Sequence, residues 1–151
     1  MRVGDHCKRG AVTIGATADV IEAARAMRDY HVGLLVVLDE SGPKRAPLGV
    51  LSDRDIVVQV TARELDPKSL TVRDVMTSRP VTAREDDDVH DLLQGMRMAG
   101  IRRVPVIDAG GALVGMIAAD DIVELLAELM QDLCGSIHRE QRVEREHRGA
   151  G

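Results

Sequence analysis

Ser52, Arg54 and Asp55 have residue types and a spacing that suit the binding of a phosphorylated ligand. They follow an apolar segment that ends at Leu51, and the pattern predicts that a helix begins directly after Ser52. A helix N-terminus favours an anion, because its unpaired backbone N–H groups and positive dipole end point outward. The Ser52 hydroxyl could also donate to a phosphate or sugar, and the Asp55 carboxylate could accept both hydroxyl hydrogens of a ribose.

The same spacing has a second interpretation, which is structural. A serine followed three residues later by an acidic residue can form a capping box, in which the two side chains satisfy the backbone of their own helix. From this tetrapeptide alone, the capping box is the favoured interpretation. The surrounding sequence decides whether ligand binding should be preferred to it.

A weaker copy of this stretch occurs later in the chain. Residues 49–56 are matched by 115–122, where Ala118 replaces the serine and Asp121 retains the carboxylate. Val12-Thr13 likewise recurs as Val81-Thr82, and many further identities share that offset, so the chain contains an internal duplication.

Each copy predicts the order strand, helix, strand, strand, helix. In the first copy these elements are expected at 12–14, 19–30, 32–38, 48–51 and 53–63, with Thr17 or Asp19 capping the first helix. In the second copy they are expected at 81–83, 88–99, 101–107 and 113–117 and from Asp120 onward. The segment 32–38 is almost continuously apolar, which predicts a strand covered on both faces.

A single copy is too small to enclose a hydrophobic core. The sequence therefore predicts an α+β (α/β-like) fold of two tandem β-α-β-β-α repeats, packed about a pseudo-twofold axis with their sheets facing each other. The first repeat is expected at 1–65, the second at 66–134, and a charged extension or tail at 135–151. Such packing leaves a cleft on either side of the shared interface, and these clefts are the candidate binding sites.

Composition argues against several classes of protein. A formal net charge of −5 disfavours broad nucleic-acid binding, and no apolar run approaches the roughly 20 residues of a membrane span. The distant Cys7 and Cys134 suit a reducing cytoplasm and lack metal-ligand spacing. The chain has one Tyr and neither Phe nor Trp, so aliphatic side chains would have to hold a flat ligand. No nucleophile, base and orienting group assemble in the pattern, so no enzyme, catalytic cofactor or metal site is expected.

The two copies resemble a CBS-domain pair, also called a Bateman module. The resemblance rests on 72–77 (Val-Arg-Asp-Val-Met-Thr), 80–82 (Pro-Val-Thr), 103–108 (Arg-Val-Pro-Val-Ile-Asp) and the two segments that end in Asp-Ile. In that family such pairs bind adenosine-bearing ligands, regulate an attached or partner protein and often dimerise into a flat disc. The resemblance favours ligand binding by Ser52 and Asp55 over capping alone.

The resemblance also implies two unequal clefts, each combining the aspartate of one copy with the second strand of the other. The first cleft would contain Ser52, Arg54, Asp55, Val81, Ile101, Arg102 and Arg103. The second would contain Thr13, Val32, Gly33, Leu34, Ala118 and Asp121, and it is degenerate because it lacks the serine and any basic residue. Neighbouring strand residues point to opposite faces, so at most one of Arg102 and Arg103 is expected to face the first cleft fully.

The C-terminal segment has a wide apolar stripe at helical spacing, made of Ile122, Val123, Leu125, Leu126, Leu129, Met130 and Leu133. This stripe is broader than one small repeat needs, which predicts a homodimer. After Gly135 the charges are mixed, which predicts either a solvated helical extension or a frayed tail, with 149–151 disordered.

These features predict a cytoplasmic regulatory module that senses AMP, ADP or ATP and acts on an unknown partner protein. S-adenosylmethionine and NAD rank after the three nucleotides. The alternative is a dimerisation scaffold that has kept the fold and lost the ligand. Ala118 and the lack of aromatic rings favour the scaffold, whereas Ser52 and Asp55 together with the two arginines favour the sensor.

Overall fold

A computed structural model describes residues 1–42 and 45–149 of the chain. Its elements, in chain order, are α1 (Val3–His6), β1 (Lys8–Arg9), β2 (Thr13–Gly15), α2 (Val20–Tyr30), β3 (Leu34–Leu38), β4 (Pro47–Ser52), α3 (Asp53–Ile56), a π-helical turn (Val57–Thr61), α4 (Val72–Val75), β5 (Thr77–Ser78), β6 (Ala83–Arg84), α5 (Val89–Ala99), β7 (Arg103–Ile107), β8 (Leu113–Ala118) and α6 (Ala119–Gly149). The chain divides into two compact units, of which the first is Met1–Ile117 and the second begins at Ala118.

The strands form two four-stranded sheets, in the orders β2-β3-β4-β5 and β1-β8-β7-β6. In both sheets the first strand of the repeat runs parallel to the second, as β2 does to β3 and β6 to β7. The fold is therefore mixed α+β and contains two repeats, which confirms the predicted fold class.

Each sheet takes its remaining strand from the segment that precedes the other repeat. β1 pairs antiparallel with β8, so that Lys8 lies opposite Met116. β5 pairs antiparallel with β4, so that Ser78 lies opposite Gly49. The sequence predicted neither β1 nor β5, because a strand of two residues shows no measurable periodicity. The two repeats are consequently interleaved through their edge strands.

Gly49 and Gly115 make these two edge pairings possible. A Cβ atom on Gly49 would lie 2.6 Å from Met76 Sδ and 2.7 Å from the Thr77 carbonyl oxygen. A Cβ atom on Gly115 would collide with the carbonyl group of Lys8. The glycine that opens each copy of the repeated segment is therefore needed for the close approach of an edge strand.

The second strand of each repeat begins later than predicted, because the residues before it close the preceding helix. α2 is capped at its C-terminus by His31, which has a left-handed φ of 54°, and the Val32 N–H donates to the Met27 carbonyl at 3.0 Å. α5 is capped in the same way by Gly100, with the Ile101 N–H donating to the Met96 carbonyl at 3.0 Å. This C-terminal motif uses the backbone groups that a longer strand would have paired.

The first hydrophobic core lies between α2 and the first sheet, and its fully buried members include Ala23, Leu35, Val37 and Leu51. β3 is buried from Leu35 to its end, which confirms that this strand is covered on both faces. Asp19 caps α2 by accepting a hydrogen bond from the Glu22 N–H at 2.8 Å, so it is Asp19 and not Thr17 that serves as the cap.

The helix expected at 53–63 is shorter than predicted, and its hydrogen bonding changes from α-helical to π-helical after Ile56. α3 gives way to a π-helical turn, in which the Ala62 N–H donates to the Val57 carbonyl at 2.8 Å. Regular helical geometry therefore ends two residues before the predicted position, at Thr61.

α6 continues as one helix to Gly149, so the segment after Gly135 is a helical extension and not a frayed tail. The predicted disorder is wrong for Gly149, while Ala150 and Gly151 lie outside the described residues. The helix tolerates Gly135, since one glycine costs only about 1 kcal/mol and the following Arg, Glu and Gln residues favour helix. Among the described residues, no helix is both long and apolar enough to cross a membrane.

Candidate functional site

The residues predicted for the first cleft line a single cavity of about 600 Å³ within the first unit. All seven are present in its wall: Ser52, Arg54, Asp55, Val81, Ile101, Arg102 and Arg103. The end of β4 and the start of α3 supply one side, and the segment that connects α5 to β7 supplies another. The volume lies in the range of sites that take a small organic ligand.

Ser52 and Asp55 form a capping box at the start of α3. The Asp55 N–H donates to Ser52 Oγ at 3.0 Å, and the Ser52 N–H donates to Asp55 Oδ2 at 2.8 Å. The structural interpretation of this tetrapeptide is therefore confirmed. The capping box still allows both side chains to bind a ligand. The Ser52 hydroxyl only accepts in the box, so its hydrogen remains available for donation, and the Asp55 carboxylate has a second oxygen. The box thus holds both side chains in fixed positions at the cavity wall.

The cavity wall is rich in positive charge. Among the described residues it contains four arginines, Arg54, Arg79, Arg102 and Arg103, and a single acidic side chain, that of Asp55. Across the described parts of the chain, the side chains of Arg54, Arg79 and Arg103 form no ion pair or hydrogen bond. In a protein with a formal net charge of −5, such a wall concentrates positive potential where an anion can bind.

Arg102 and Arg103 both line the cavity. The expectation that at most one of them faces it fully stays a prediction. The expectation assumed that both residues belong to one strand, whose side chains alternate between faces. β7 begins at Arg103, so Arg102 lies in the preceding loop and is not bound by that alternation.

Residues 77–80 of the second repeat, which connect α4 to β6 and which we call the linker, also contribute to the wall, although the sequence did not predict this. Thr77, Arg79 and Pro80 lie there because β5 joins the first sheet and the chain then turns toward β6. Arg79 has a left-handed φ of 52°, and its N–H donates to the Leu48 carbonyl at 3.2 Å. The only sequence signal was an arginine placed directly before a proline in the linker, and that signal is weak.

The residues predicted for the second cleft belong partly to one unit and partly to the other. Thr13 lies in β2 opposite Val36, and Gly33 accepts a backbone hydrogen bond from Asp53 at 3.0 Å. Leu34 lines the first cavity. In the second unit, Asp121 Oδ2 accepts from the Ala118 N–H at 2.8 Å, which is half of the capping box found at Ser52. The second cleft stays a prediction.

Among the described residues, other potentially reactive or metal-binding groups do not come together in a second site. Cys7 is partly buried, and this burial raises the pKa of its thiol, which favours the unreactive protonated form. In the described ranges, histidine, cysteine and acidic residues do not come together in groups of three or more that could hold a metal ion. The arginine-lined cavity is therefore the candidate site that we develop further.

The family of the chain follows from comparison with known proteins. Models of the CBS domain match residues 3–61 and 72–128, which together form most of the chain. The chain therefore belongs to the CBS-domain family and contains a tandem pair of CBS domains, as its residue pattern suggested.

Individual relatives are moderately similar. The uncharacterised protein MK0525 of Methanopyrus kandleri is 32% identical over 123 residues, which cover 82% of this chain and 61% of MK0525. The solved structure of the CBS domain protein PAE2072 from Pyrobaculum aerophilum complexed with AMP is similar with a TM-score of 0.75 and 32% identity, covering 87% of this chain and 99% of that one. The CBS domain pair of protein MJ0100, in complex with 5′-methylthioadenosine and S-adenosyl-L-methionine, has a TM-score of 0.73 and 26% identity, and the match covers 85% of this chain and 97% of that one. This chain thus spans less than two thirds of MK0525, and nearly all of both solved structures.

Proposed function

We propose that this protein is a regulatory sensor of adenine nucleotides and that its ligand occupies the arginine-lined cavity. The observation that carries the proposal is that one cavity unites Ser52 and Asp55 of the first repeat with Arg102 and Arg103 of the second. The similar structures named above hold AMP in one case and 5′-methylthioadenosine with S-adenosyl-L-methionine in the other, which supports a ligand built on adenosine.

Each side chain would contact the part of the ligand that matches its hydrogen-bonding capacity and charge. The Asp55 carboxylate would accept the ribose hydroxyl hydrogens, since an ionised carboxylate offers only acceptors. The Ser52 hydroxyl would donate to a phosphate, and the guanidinium groups of Arg54 and Arg103 suit bidentate phosphate recognition. Val81 and Ile101 would contact the adenine base, because the chain provides no aromatic ring there.

Regulation would follow from linkage between ligand binding and the arrangement of the two repeats. The cavity wall is formed by segments of both repeats, including residues 77–80 of the second. A bound ligand would therefore contact both repeats at once. A ligand that binds one arrangement more tightly shifts the population toward it. A partner protein would recognise the altered surface.

The protein would act as a homodimer. Within the second unit, α6 exposes a row of large apolar side chains at helical spacing, namely Val123, Leu126, Met130, Leu133 and Ile137. A row of this kind is typical of a helix that packs against another helix. Light scattering coupled to gel filtration should give twice the mass of one chain.

The test of the sensor is calorimetric titration of the purified protein with AMP, ADP, ATP, S-adenosylmethionine and NAD, each added separately. We expect saturable binding of an adenine nucleotide, and loss of that binding in Asp55→Ala. Before titration, denatured protein should be checked for released nucleotide, because a co-purified ligand would mask the heat. Absence of binding by ligand-free protein would reject the proposal.

A second candidate function, a dimerisation scaffold without a ligand, is favoured by one specific observation. The capping box accounts for Ser52 and Asp55 structurally, so neither residue requires a ligand to explain its presence. The scaffold does not explain why Arg54, Arg79 and Arg103, whose side chains have no partner in the described parts of the chain, line one cavity of an acidic protein, because isolated like charges repel one another. We therefore place the sensor first and the scaffold second.

A further inference from the structure

We propose that Arg79 makes this cavity prefer adenosine di- and triphosphates over the monophosphate and over uncharged adenosine. The inference rests on the proposed function, since it names the class of adenosine ligand that the same cavity takes. It assigns to a linker residue the role of determining ligand specificity.

The backbone of Arg79 is held in an unusual conformation at the cavity wall. Its φ of 52° lies in the left-handed region, and the residue stands directly before Pro80. Both features are unfavourable for arginine, because side chains disfavour positive φ and a following proline favours extended backbone. Such a conformation persists only where the surrounding structure enforces it.

Two backbone interactions enforce it here. The Arg79 N–H donates to the Leu48 carbonyl at 3.2 Å, and the residue before it, Ser78, pairs with Gly49 across β4 and β5. The linker is therefore hydrogen-bonded to the first sheet immediately before Arg79. Arg79 is therefore placed at the cavity wall by the fold itself, and its backbone is not a freely moving part of the linker.

The charges of the wall exceed what a single phosphate needs. Leaving Arg102 aside, the described wall contains Arg54, Arg79 and Arg103 and one acidic residue, Asp55, whose carboxylate already accepts from the Ser52 N–H. Arg54 and Arg103 with the Ser52 hydroxyl suffice for one phosphate. Arg79 adds a further fork of donors from a third chain segment, and further phosphates offer it charge and acceptor oxygens.

The test compares the affinities of adenosine, AMP, ADP and ATP for wild-type protein and for Arg79→Gln, by calorimetry without added Mg²⁺. Arg25→Gln is the matched control, because Arg25 is exposed on α2 outside the cavity and the charge change is the same. Arg79→Gly is a second variant, which removes the side chain and also relieves the positive φ, so it should unfold at the same or a higher temperature. If thermal unfolding bears this out, a loss of binding in Arg79→Gly cannot be ascribed to misfolding.

We expect wild-type protein to bind ADP and ATP at least about tenfold more tightly than AMP, the effect of one charged hydrogen-bonded contact. Both Arg79 variants should reduce this preference to about threefold or less, with AMP affinity nearly unchanged. Equal affinity of wild-type protein for AMP and ATP, or an equal loss for all ligands in Arg79→Gln, would overturn the inference and leave the sensor standing. If no adenine compound binds wild-type protein, both the sensor and the inference fail.

Discussion

The starts of α3 and α6 occupy the same position in the two repeats, but of the residues 52–55 (Ser-Asp-Arg-Asp) and 118–121 (Ala-Ala-Asp-Asp) only the last aspartate is shared. At α3, Ser52 and Asp55 exchange two hydrogen bonds, whereas at α6 Asp121 accepts from the Ala118 N–H and no hydroxyl is present. The aspartate is thus retained with the same backbone contact at both places. An aspartate at this position has a capping role whether or not a ligand binds, so it is weak evidence for a site. The serine and the arginines are what distinguish the first cavity.

The largest effect that this comparison predicts concerns the two aspartates. Asp55→Ala should weaken nucleotide binding by about 100-fold, since it removes charged hydrogen bonds worth about 1.5–3 kcal/mol each. Asp121→Ala should change it by less than about threefold. Calorimetry measures both, and thermal unfolding provides the control by showing that each variant is folded at the temperature of the titration. Equal losses of binding would remove the distinction between the two helix starts.

Gly49 and Gly115 provide the next comparison, because each admits an edge strand. Gly49→Ala and Gly115→Ala should each lower the free energy of unfolding by about 1–3 kcal/mol, as overpacked positions do. Only Gly49→Ala should also weaken nucleotide binding, because the strand that it displaces leads to Arg79. Denaturant unfolding and calorimetry test the two effects.

Gly95→Ala is the matched control for these two variants. A Cβ atom on Gly95 meets nothing within 4 Å, and the residue lies inside α5. Its replacement should stabilise the protein by about 0.5–1 kcal/mol. Destabilisation of similar size in all three variants would show that the edge strands are not the cause.

Much of the fold could be predicted from the sequence, because the long elements have strong local signals. Asp19 and Asp88 stand before apolar helical patterns and cap α2 and α5. The edge strands could not be predicted, since two-residue strands are defined by distant partners and not by their own pattern. Ser52, Arg54, Asp55 and Arg103 of the predicted cavity stand on regular elements. Val81, Ile101 and Arg102 lie in connecting segments and were predicted from the resemblance to the CBS-domain pair. Arg79 was missed because its position depends on the pairing of β5 with β4, which the sequence did not predict.

The presence of a hydroxyl at the start of α3, and its absence at the start of α6, should have a smaller effect on stability and binding. Ser52→Ala should lower the free energy of unfolding by about 1 kcal/mol, and Ala118→Ser should raise it by about 0.5–1 kcal/mol by completing the box. Denaturant unfolding measures both changes. Ser52→Ala should in addition weaken binding of phosphorylated ligands, whereas Ala118→Ser should not. A stability change without any binding change at Ser52 would favour the scaffold.

The smallest predicted effect comes from Asp74, which accepts from the N–H and hydroxyl of Thr71 at 2.8 and 2.9 Å, outside the cavity. These bonds, the backbone one first, hold the pKa of Asp74 below its ordinary value. Their stabilisation is therefore present above the unfolded pKa and is lost as pH falls through the lower folded pKa. Asp74→Asn should flatten the acid side of the stability profile slightly and leave nucleotide binding unchanged. A loss of binding would show that capping contacts anywhere in the chain affect the cavity.

The pairing of β1 with β8 has a consequence for the making of the protein. Lys8 and Arg9 are synthesised early but gain their partners, Met116 and Gly115, only after most of the chain has left the ribosome. At a synthesis rate of about 5–20 residues per second, this segment remains unpaired for on the order of ten seconds. Both of its residues are basic and exposed, and such charges discourage pairing with a neighbouring nascent chain during that interval.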